Sequence, residues 1–258
     1  MSRFAGLDIG STATKCAVIE DGRVVMTVVL PSMPDMRLAA ENALRECGAE
    51  GLPVITTGYG RALHEPRLGQ VSEITALAAG VGLVAPDAAT VVDIGGQDSK
   101  VVRVEAGRVL DFAMNDRCAA GTGRFLEVMS RVLHVPFDQF DDVASEDVEP
   151  LPVTSTCTVF AESEVVGLLS LRHPPARILK GVLQSVCSRV ASLGRQVGMV
   201  APVVCTGGTV QSRAVVRSLS LALGVPVSVP PSPQRVTAIG AALLCARRAA
   251  GGQLPNVG

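Results

Sequence analysis

Asp8–Val25, DIGSTATKCAVIEDGRVV, and Asp93–Leu110, DIGGQDSKVVRVEAGRVL, are one pattern written twice. They align at an offset of 85 residues without a gap and share 8 identities in 18 positions, Asp, Ile, Gly, Lys, Glu, Gly, Arg and Val. The chain has only three lysines, and two of them, Lys15 and Lys100, occupy equivalent places in the repeat. Self-similarity on this scale signals a duplicated supersecondary unit. In each copy an apolar strand (Phe4–Leu7; Thr90–Val92) runs into Asp-Ile-Gly, and a small polar loop follows. A second strand (Cys16–Ile19; Val101–Val104) then meets a turn at Asp21-Gly22 or Ala106-Gly107 before a third. Asp-Gly between apolar runs is a strong hairpin signal, so the unit is a β-meander whose first turn is a Gly/Ser/Thr loop.

Apolar residues at helical spacing follow each copy. The spacing predicts helices over Met36–Glu46, Ser72–Val81, Arg124–Leu133, Phe160–Leu169, Arg177–Val197, Ser212–Leu223 and Ala238–Ala250. The expected class is α/β, in two related lobes: residues 1–88 with the first loop, residues 89–236 with the second, and a connecting helix and tail over 237–258. At 258 residues, with 48% hydrophobic and 18% charged residues, the chain is long and apolar enough to bury a core, which excludes a disordered chain. A net charge of −1 gives no excess to hold a phosphate backbone, so no nucleic-acid partner is expected. The longest uncharged runs, Gln196–Ser212 and Ser218–Gln234, fall short of the roughly 20 residues of a spanning helix, and both contain Gly and Pro. No membrane partner is therefore expected. No signal peptide is legible, because Asp8 ends the short apolar run after Arg3, and a cytoplasmic protein is expected. Seven cysteines, an odd number, then argue for free or metal-bound thiols.

Glycines with Ser, Thr and Lys between two strands suit a phosphate, because glycine lets backbone N–H groups approach as donors and lysine adds a compact charge. The aspartate before each loop is placed to hold magnesium directly or through water. Two such loops facing each other would clamp a triphosphate. Neither G-x-x-x-x-G-K-[ST] nor G-x-G-x-x-G occurs, so P-loop and Rossmann sites are not supported. The pattern resembles the actin–Hsp70–sugar-kinase ATPase superfamily, whose duplicated ribonuclease-H-like (actin-like) two-lobe fold it implies. On that resemblance Asp8–Lys15 and Asp93–Lys100 are the phosphate segments and Val204–Thr209, VCTGGT, the adenosine segment. Thr237–Leu243, TAIGAAL, is then a connecting helix whose glycine permits close packing.

Two cysteines stand apart. Cys118 in NDRCAAGTGRFLE (115–127) and Cys157 in TSTCTVFAESEV (154–165) each precede a stretch of helical character. The first turn of a helix leaves N–H groups that welcome an anion and lower a thiol's pKa. From chemistry alone two readings stand: small buried hydrophobes, as most unpaired cysteines are, or thiolates of an iron–sulfur site. No C-x-x-C occurs, and a cluster wants about four thiolates, so the second reading needs two chains about a twofold axis. Cys16, Cys187 and Cys245 read as buried apolar residues, Cys47 as a helix-end residue and Cys205 as part of the adenosine strand.

Beyond the superfamily, the chain resembles the activator ATPases of 2-hydroxyacyl-CoA dehydratases and the ATP-binding subunits of benzoyl-CoA reductases. The segments that carry the likeness are GLDIGSTATK (6–15), TGYGR (57–61), SEIT (72–75), DIGGQDSK (93–100), NDRCAAGTGRFLE (115–127), STCTVFAESEV (155–165), CTGG (205–208) and IGAALL (239–244). The cysteine segments are the specific part. The resemblance implies an ATP-dependent electron-transfer activator with a 4Fe–4S cluster shared in a homodimer or pseudo-symmetric heterodimer, ligated by Cys118 and Cys157 of each chain. It implies ATP with Mg2+ between the lobes, lined by Asp8, Gly10, Ser11, Thr12 and Lys15 on one side and Asp93, Gly95, Gly96, Gln97 and Asp98 on the other. Gly121 and Gly123 would bring the cluster helix toward the nucleotide, Gly207 and Gly208 would meet the adenosine, and Gln97 or Asp98 would orient the attacking water. Ferredoxin or flavodoxin is the implied donor, and an iron–sulfur CoA-ester dehydratase or reductase the acceptor. Two positions depart from the family pattern. Leu77 stands where a histidine is frequent, and GGTVQS (207–212) replaces GGVAKN. A small-molecule kinase and a nucleotide-dependent scaffold of the same fold are the alternatives, and neither needs the two cysteines.

Overall fold

The computed structural model describes residues 2–145, 147–154 and 157–254. In chain order the elements are β1 (Arg3–Ile9), β2 (Ala13–Glu20), β3 (Arg23–Pro31), α1 (Met36–Glu46), β4 (Val54–Thr57), β5 (Gly69–Gln70), α2 (Glu73–Val84), β6 (Thr90–Ile94), β7 (Ser99–Glu105) and β8 (Arg108–Asn115). There follow α3 (Gly123–Leu133), α4 (Phe140–Ser145), α5 (Thr158–Ser170), α6 (Pro175–Gln196), β9 (Val203–Thr206), α7 (Arg213–Leu223), β10 (Val227–Ser228) and α8 (Val236–Ala249). Every helix expected from the periodicity is present. Two compact units result: Met1–Ala88, Val104–Leu110 and Pro230–Gly258 form unit 1, and Ala89–Arg103 with Asp111–Val229 forms unit 2.

The duplication extends to the sheets, which are ordered β3-β2-β1-β4-β5 and β10-β9-β6-β7-β8. In each, the first strand pairs antiparallel with the second and parallel with a short fourth one. The turns that close the second and third strands place Asp21 and Gly22 at φ 49° and 78° and Ala106 and Gly107 at 48° and 72°. Positive φ at both central residues is the hairpin geometry that matches strand twist.

In unit 1, β1 and β2 bury Leu7, Ile9, Cys16 and Val18 against Ala40, Ala43 and Leu44 of α1. On the other face lies α8, which also packs on α2. A Cβ at Gly240 would run into the Ala76 carbonyl, so glycine is what lets α2 and α8 touch along their backbones. The expected close-packing role of this glycine is met. Leu77, the first of the two departures from the family pattern, is buried in α2. In unit 2, α6 presents Ile178, Val182, Val186 and Val190 at i, i+4 spacing, all fully buried with Phe125, Leu126 and Met129 of α3. Burying each such side chain contributes roughly 1.5–3 kcal/mol. Among the described residues no helix is long and apolar enough to cross a membrane.

The acidic stretch Asp138–Glu149 reads in the sequence as a solvated loop or helix face, and Asp141 departs from that reading. Its Oδ1 accepts from the Ala214 N–H and the Ser212 hydroxyl, both at 2.8 Å, and so holds the N-terminus of α7 from α4. Glu146, in the same stretch, lies outside the described residues.

Candidate functional site

The register of each meander explains its Asp and Lys. Asp8 is the cross-strand partner of Lys15, and Asp93 of Lys100. Residues opposite each other in an antiparallel pair share a face, so each lysine meets the aspartate that opens its own loop.

Within unit 1, Lys15 Nζ lies 3.0 Å from Asp8 Oδ2. The loop between them closes with Gly10 N–H donating to Ala13 O at 3.2 Å, and Ser32 Oγ donating to Gly10 O at 2.6 Å. Ser11 is half-buried and Thr12 exposed. Next to Asp8 in the sheet stands Thr57, the first residue of TGYGR. Gly58 follows at φ 91°, and a Cβ there would meet Ile9 O and, at 2.6 Å, Asp8 Oδ1. Gly60 N–H donates to Ile9 O at 2.9 Å. Tyr59, in the same segment, is 77% exposed.

Within unit 2 the same hairpin is more heavily tied. Lys100 is buried and reaches Asp98 Oδ2 at 2.7 Å and Asp93 Oδ2 at 3.6 Å. Thr206 Oγ1 donates to Asp93 Oδ1 at 2.6 Å, and Thr209 Oγ1 to Ile94 O at 3.2 Å. Gly207 sits at φ 99° where a Cβ would collide with Ile94 O, and Gly208 begins the short helical turn after it. Asp98 closes the loop by accepting Gly95 N–H at its carbonyl, 2.9 Å, while Gln97 is exposed at the tip.

The outward carbonyls of this loop are occupied. Gly123 N–H donates to Gly95 O at 2.8 Å and Arg124 N–H to Gly96 O at 2.7 Å. These are the first amides of α3, so the expectation that they welcome an anion is corrected: the Gly95–Gly96 loop takes them. A Cβ at Gly123 would stand 3.0 Å from Gly95 O and 3.2 Å from Thr209 Cγ2, which explains glycine at this junction.

Cys118 does not open the helix either. It lies in the loop before Thr122, the N-cap of α3, and is exposed. That loop is held by Asn115, whose Nδ2 donates to Cys118 O at 2.8 Å and Ala120 O at 2.9 Å, and by Thr122 Oγ1 donating to Ala119 O at 2.6 Å. Gly121 takes φ 96° against the stem of Arg189 from α6. Cys157 does meet the expectation: it is the N-cap of α5, half-buried, and its carbonyl accepts Ala161 N–H at 2.9 Å. Glu164 Oε1 accepts from Thr154 N and Oγ1, which folds the preceding residues onto α5. Ser155 and Thr156, which begin the STCTVFAESEV segment, lie outside the described residues. Helices α3 and α5 pack on each other.

The other five cysteines are buried. Burial pushes the Cys187 thiol up to about 12 and that of Cys245 to about 11. The Cys205 thiol is raised by burial in the same way. A side-chain hydrogen bond from Cys16 to Cys47 raises the Cys16 thiol, as burial also does, and lowers that of Cys47 against the opposing effect of burial. Accessible thiols thus come from the two segments singled out by sequence. Among the described residues no group of three or more His, Cys, Asp or Glu gathers to hold a metal ion.

A model of the BadF/BadG/BcrA/BcrD ATPase family matches residues 5–245. The chain belongs to that family. It is 39% identical over 253 residues to the (R)-2-hydroxyglutaryl-CoA dehydratase activating ATPase of Acidaminococcus fermentans, covering 95% of this chain and 97% of that protein. A subunit of the benzoyl-CoA reductase of Thauera aromatica is 31% identical over 263 residues, 94% and 93% of the two chains. Among solved structures, the activator of the 2-hydroxyisocaproyl-CoA dehydratase from Clostridium difficile, with bound ADPNP, superposes with a TM-score of 0.89 at 36% identity, over 99% of each chain. The family carries the actin-like ATPase fold, and the paired meanders described above are its two halves.

The sequence reading missed two features. Thr57 and Gly58 are the unit 1 counterparts of Thr206 and Gly207, and the shared Thr-Gly dipeptide was the available signal. It falls outside the constant offset of the repeat because the intervening segments differ in length. The role of Asn115 had no signal beyond its place in the Cys118 segment.

Proposed function

We propose that this protein is an ATP-dependent activator that passes single electrons to an iron–sulfur CoA-ester dehydratase or reductase through a 4Fe–4S cluster shared by two copies of the chain. The observation that carries the reading is the pair of accessible thiols: Cys118 and Cys157 lie outside the core, and each precedes one of two helices, α3 and α5, that pack together. Two thiols per chain fit a four-thiolate cluster only if a second chain supplies the rest, and a homodimer does so by symmetry. The cluster, when bound, supplies a one-electron carrier.

This chain's own residues have three tasks in the reading. Asp8, Gly10, Ser11, Thr12 and Lys15 take the phosphates and magnesium of ATP in unit 1, and Asp93, Gly95, Gly96 and Gln97 do so in unit 2. Gly207 and Gly208 meet the adenosine. The buried Asp8 carboxylate and the partly buried Asp93 carboxylate fit a divalent cation, and the orphaned Thr57 hydroxyl beside Asp8 fits an incoming polar group. Gln97, exposed at the loop tip, is the better placed of the two residues named to orient water, since Asp98 is engaged by Lys100.

The second loop is also the transmitting one. A shift of Gly95 and Gly96 as the loop meets the γ-phosphate moves the first turn of α3, because two backbone hydrogen bonds join them. Thr122 and the Asn115-clamped loop carry that shift to Cys118 within a few residues. A ferredoxin or flavodoxin is the proposed donor. No observation favours the kinase or scaffold alternatives.

The test is iron and sulfide analysis of anaerobically purified protein. About four irons and four sulfides per pair of chains are expected, falling to near zero in Cys118→Ser and in Cys157→Ser. Unchanged iron in both variants would remove the cluster from these residues.

A further inference from the structure

Thr57 and Thr206 are equivalent residues in unequal situations. Each ends the short strand that pairs parallel with the first strand of its meander, opposite Asp8 and Asp93 respectively. Each is followed by a glycine with positive φ packed on the carbonyl of Ile9 or Ile94. In unit 2 the hydroxyl is satisfied, with Thr206 Oγ1 donating to Asp93 Oδ1 at 2.6 Å. In unit 1, Thr57 is equally buried, yet its Oγ1 finds no hydrogen-bond partner among the described residues. A buried hydroxyl without a partner is less favourable than a methyl group of the same shape, so the folded protein alone gives no reason for threonine there.

We propose that Thr57 is a ligand-facing residue of the first phosphate loop, whose hydroxyl donates to an oxygen brought in by magnesium nucleotide beside Asp8. This deepens, and rests on, the nucleotide reading above. The oxygen is either a phosphate oxygen or water around the ion; the hydrogen-bond chemistry at Thr57 is the same. Asp8 has Lys15 at 3.0 Å across the strands, so a nucleotide settling here meets a carboxylate, an ammonium and a hydroxyl on one face of the sheet.

The test compares Thr57→Val, Thr57→Ser and Thr206→Val in the full chain, by thermal unfolding without nucleotide and by calorimetric titration with MgATP. Thr57→Val is expected to unfold at the native temperature or about 2–4 °C above it, since an unsatisfied group has been removed. It is expected to bind MgATP about 3–10-fold more weakly, the equivalent of one hydrogen bond. Thr57→Ser restores the affinity, and Thr206→Val unfolds at a lower temperature because Asp93 loses its donor. Repeating the titration with EDTA separates the sources: a deficit that persists assigns the oxygen to phosphate, and one that vanishes assigns it to the ion's water. Native MgATP affinity in Thr57→Val would overturn the proposal while leaving nucleotide binding intact. So would a fall in unfolding temperature like that of Thr206→Val, which would reveal a structural partner. Failure of the unaltered protein to bind MgATP would overturn both this proposal and the reading beneath it.

Discussion

Lys15 and Lys100 hold the same register position in the two meanders, but their surroundings differ. Lys15 faces Asp8 across one pair of strands. Lys100 is buried against both Asp93 and Asp98, in a loop whose glycine carbonyls are fastened to the start of α3. The same hairpin occurs twice, and in the second its loop is also joined to a helix. Under the proposed function, the difference teaches where a signal would leave the nucleotide. A loop hydrogen-bonded to a following helix passes on its displacement, whereas the first loop is closed by Ser32 and the next strand.

The comparison breaks most readily at the lysines. Lys100→Met leaves two carboxylates facing each other with little solvent, and a loss of about 3–5 kcal/mol is expected in denaturant unfolding. Lys15→Met leaves one buried carboxylate, Asp8, without its lysine, and a smaller loss of about 1–3 kcal/mol is expected together with weaker MgATP binding. Equal losses from the two substitutions would mean the two sites do not differ as described.

Asn115→Asp sharpens the transmitting side. The amide donates twice to carbonyls of the Cys118 loop, and a carboxylate cannot, so a loss of about 1–3 kcal/mol is expected. Alkylation mapping of the apo protein at mildly alkaline pH should show Cys118 reacting several-fold faster while Cys157 is unchanged. Cys187 and Cys245, raised to about 12 and about 11 by burial, should stay unlabelled.

Asp141→Ala removes the side chain that caps α7, for an expected loss of about 0.5–2 kcal/mol. Burial raises the Asp141 carboxyl, but hydrogen bonds from Ala214, Ser212 and Arg213, with the nearby Arg217 charge, outweigh it and hold the group below the usual range. A folded-state pKa below the unfolded one contributes stability above about pH 4 that is lost as pH falls toward the depressed value. The gap between native protein and Asp141→Ala should therefore narrow in acid, which a pair of unfolding curves will show.

The smallest expected effect lies in the hairpin turns. Ala106 holds the positive φ that Asp21 holds in the first copy, and alanine tolerates it less well. Ala106→Asn should raise stability by about 0.5–1 kcal/mol, readable as a shift in the denaturation midpoint.

Much of this was legible beforehand because the determinants are local. Asp21-Gly22 and Ala106-Gly107 announce their turns, and helical spacing marks α6 and α7. The Asp–Lys register follows once the hairpin is recognised. What stayed hidden depends on partners distant in sequence. Strand β4 is too short to show periodicity, so the place of Thr57 beside Asp8 emerged only from parallel pairing. Asp141 looked like one of several solvated acids until α7 was found above it. The run from Cys118 to Gly123 suggested a helix mouth, because nothing in it reveals that Gly95 and Gly96 take the first amides of α3.

The central claim is that the nucleotide held by the second loop is felt at Cys118 through the first turn of α3. The most direct measurement is the alkylation rate of Cys118 in apo protein, with and without a non-hydrolysable magnesium ATP analogue, in the native chain and in Gly123→Val. A nucleotide-dependent change of several-fold at Cys118 is expected in the native chain and should be lost in the variant. The same rate in all four samples, with nucleotide binding verified, would contradict it.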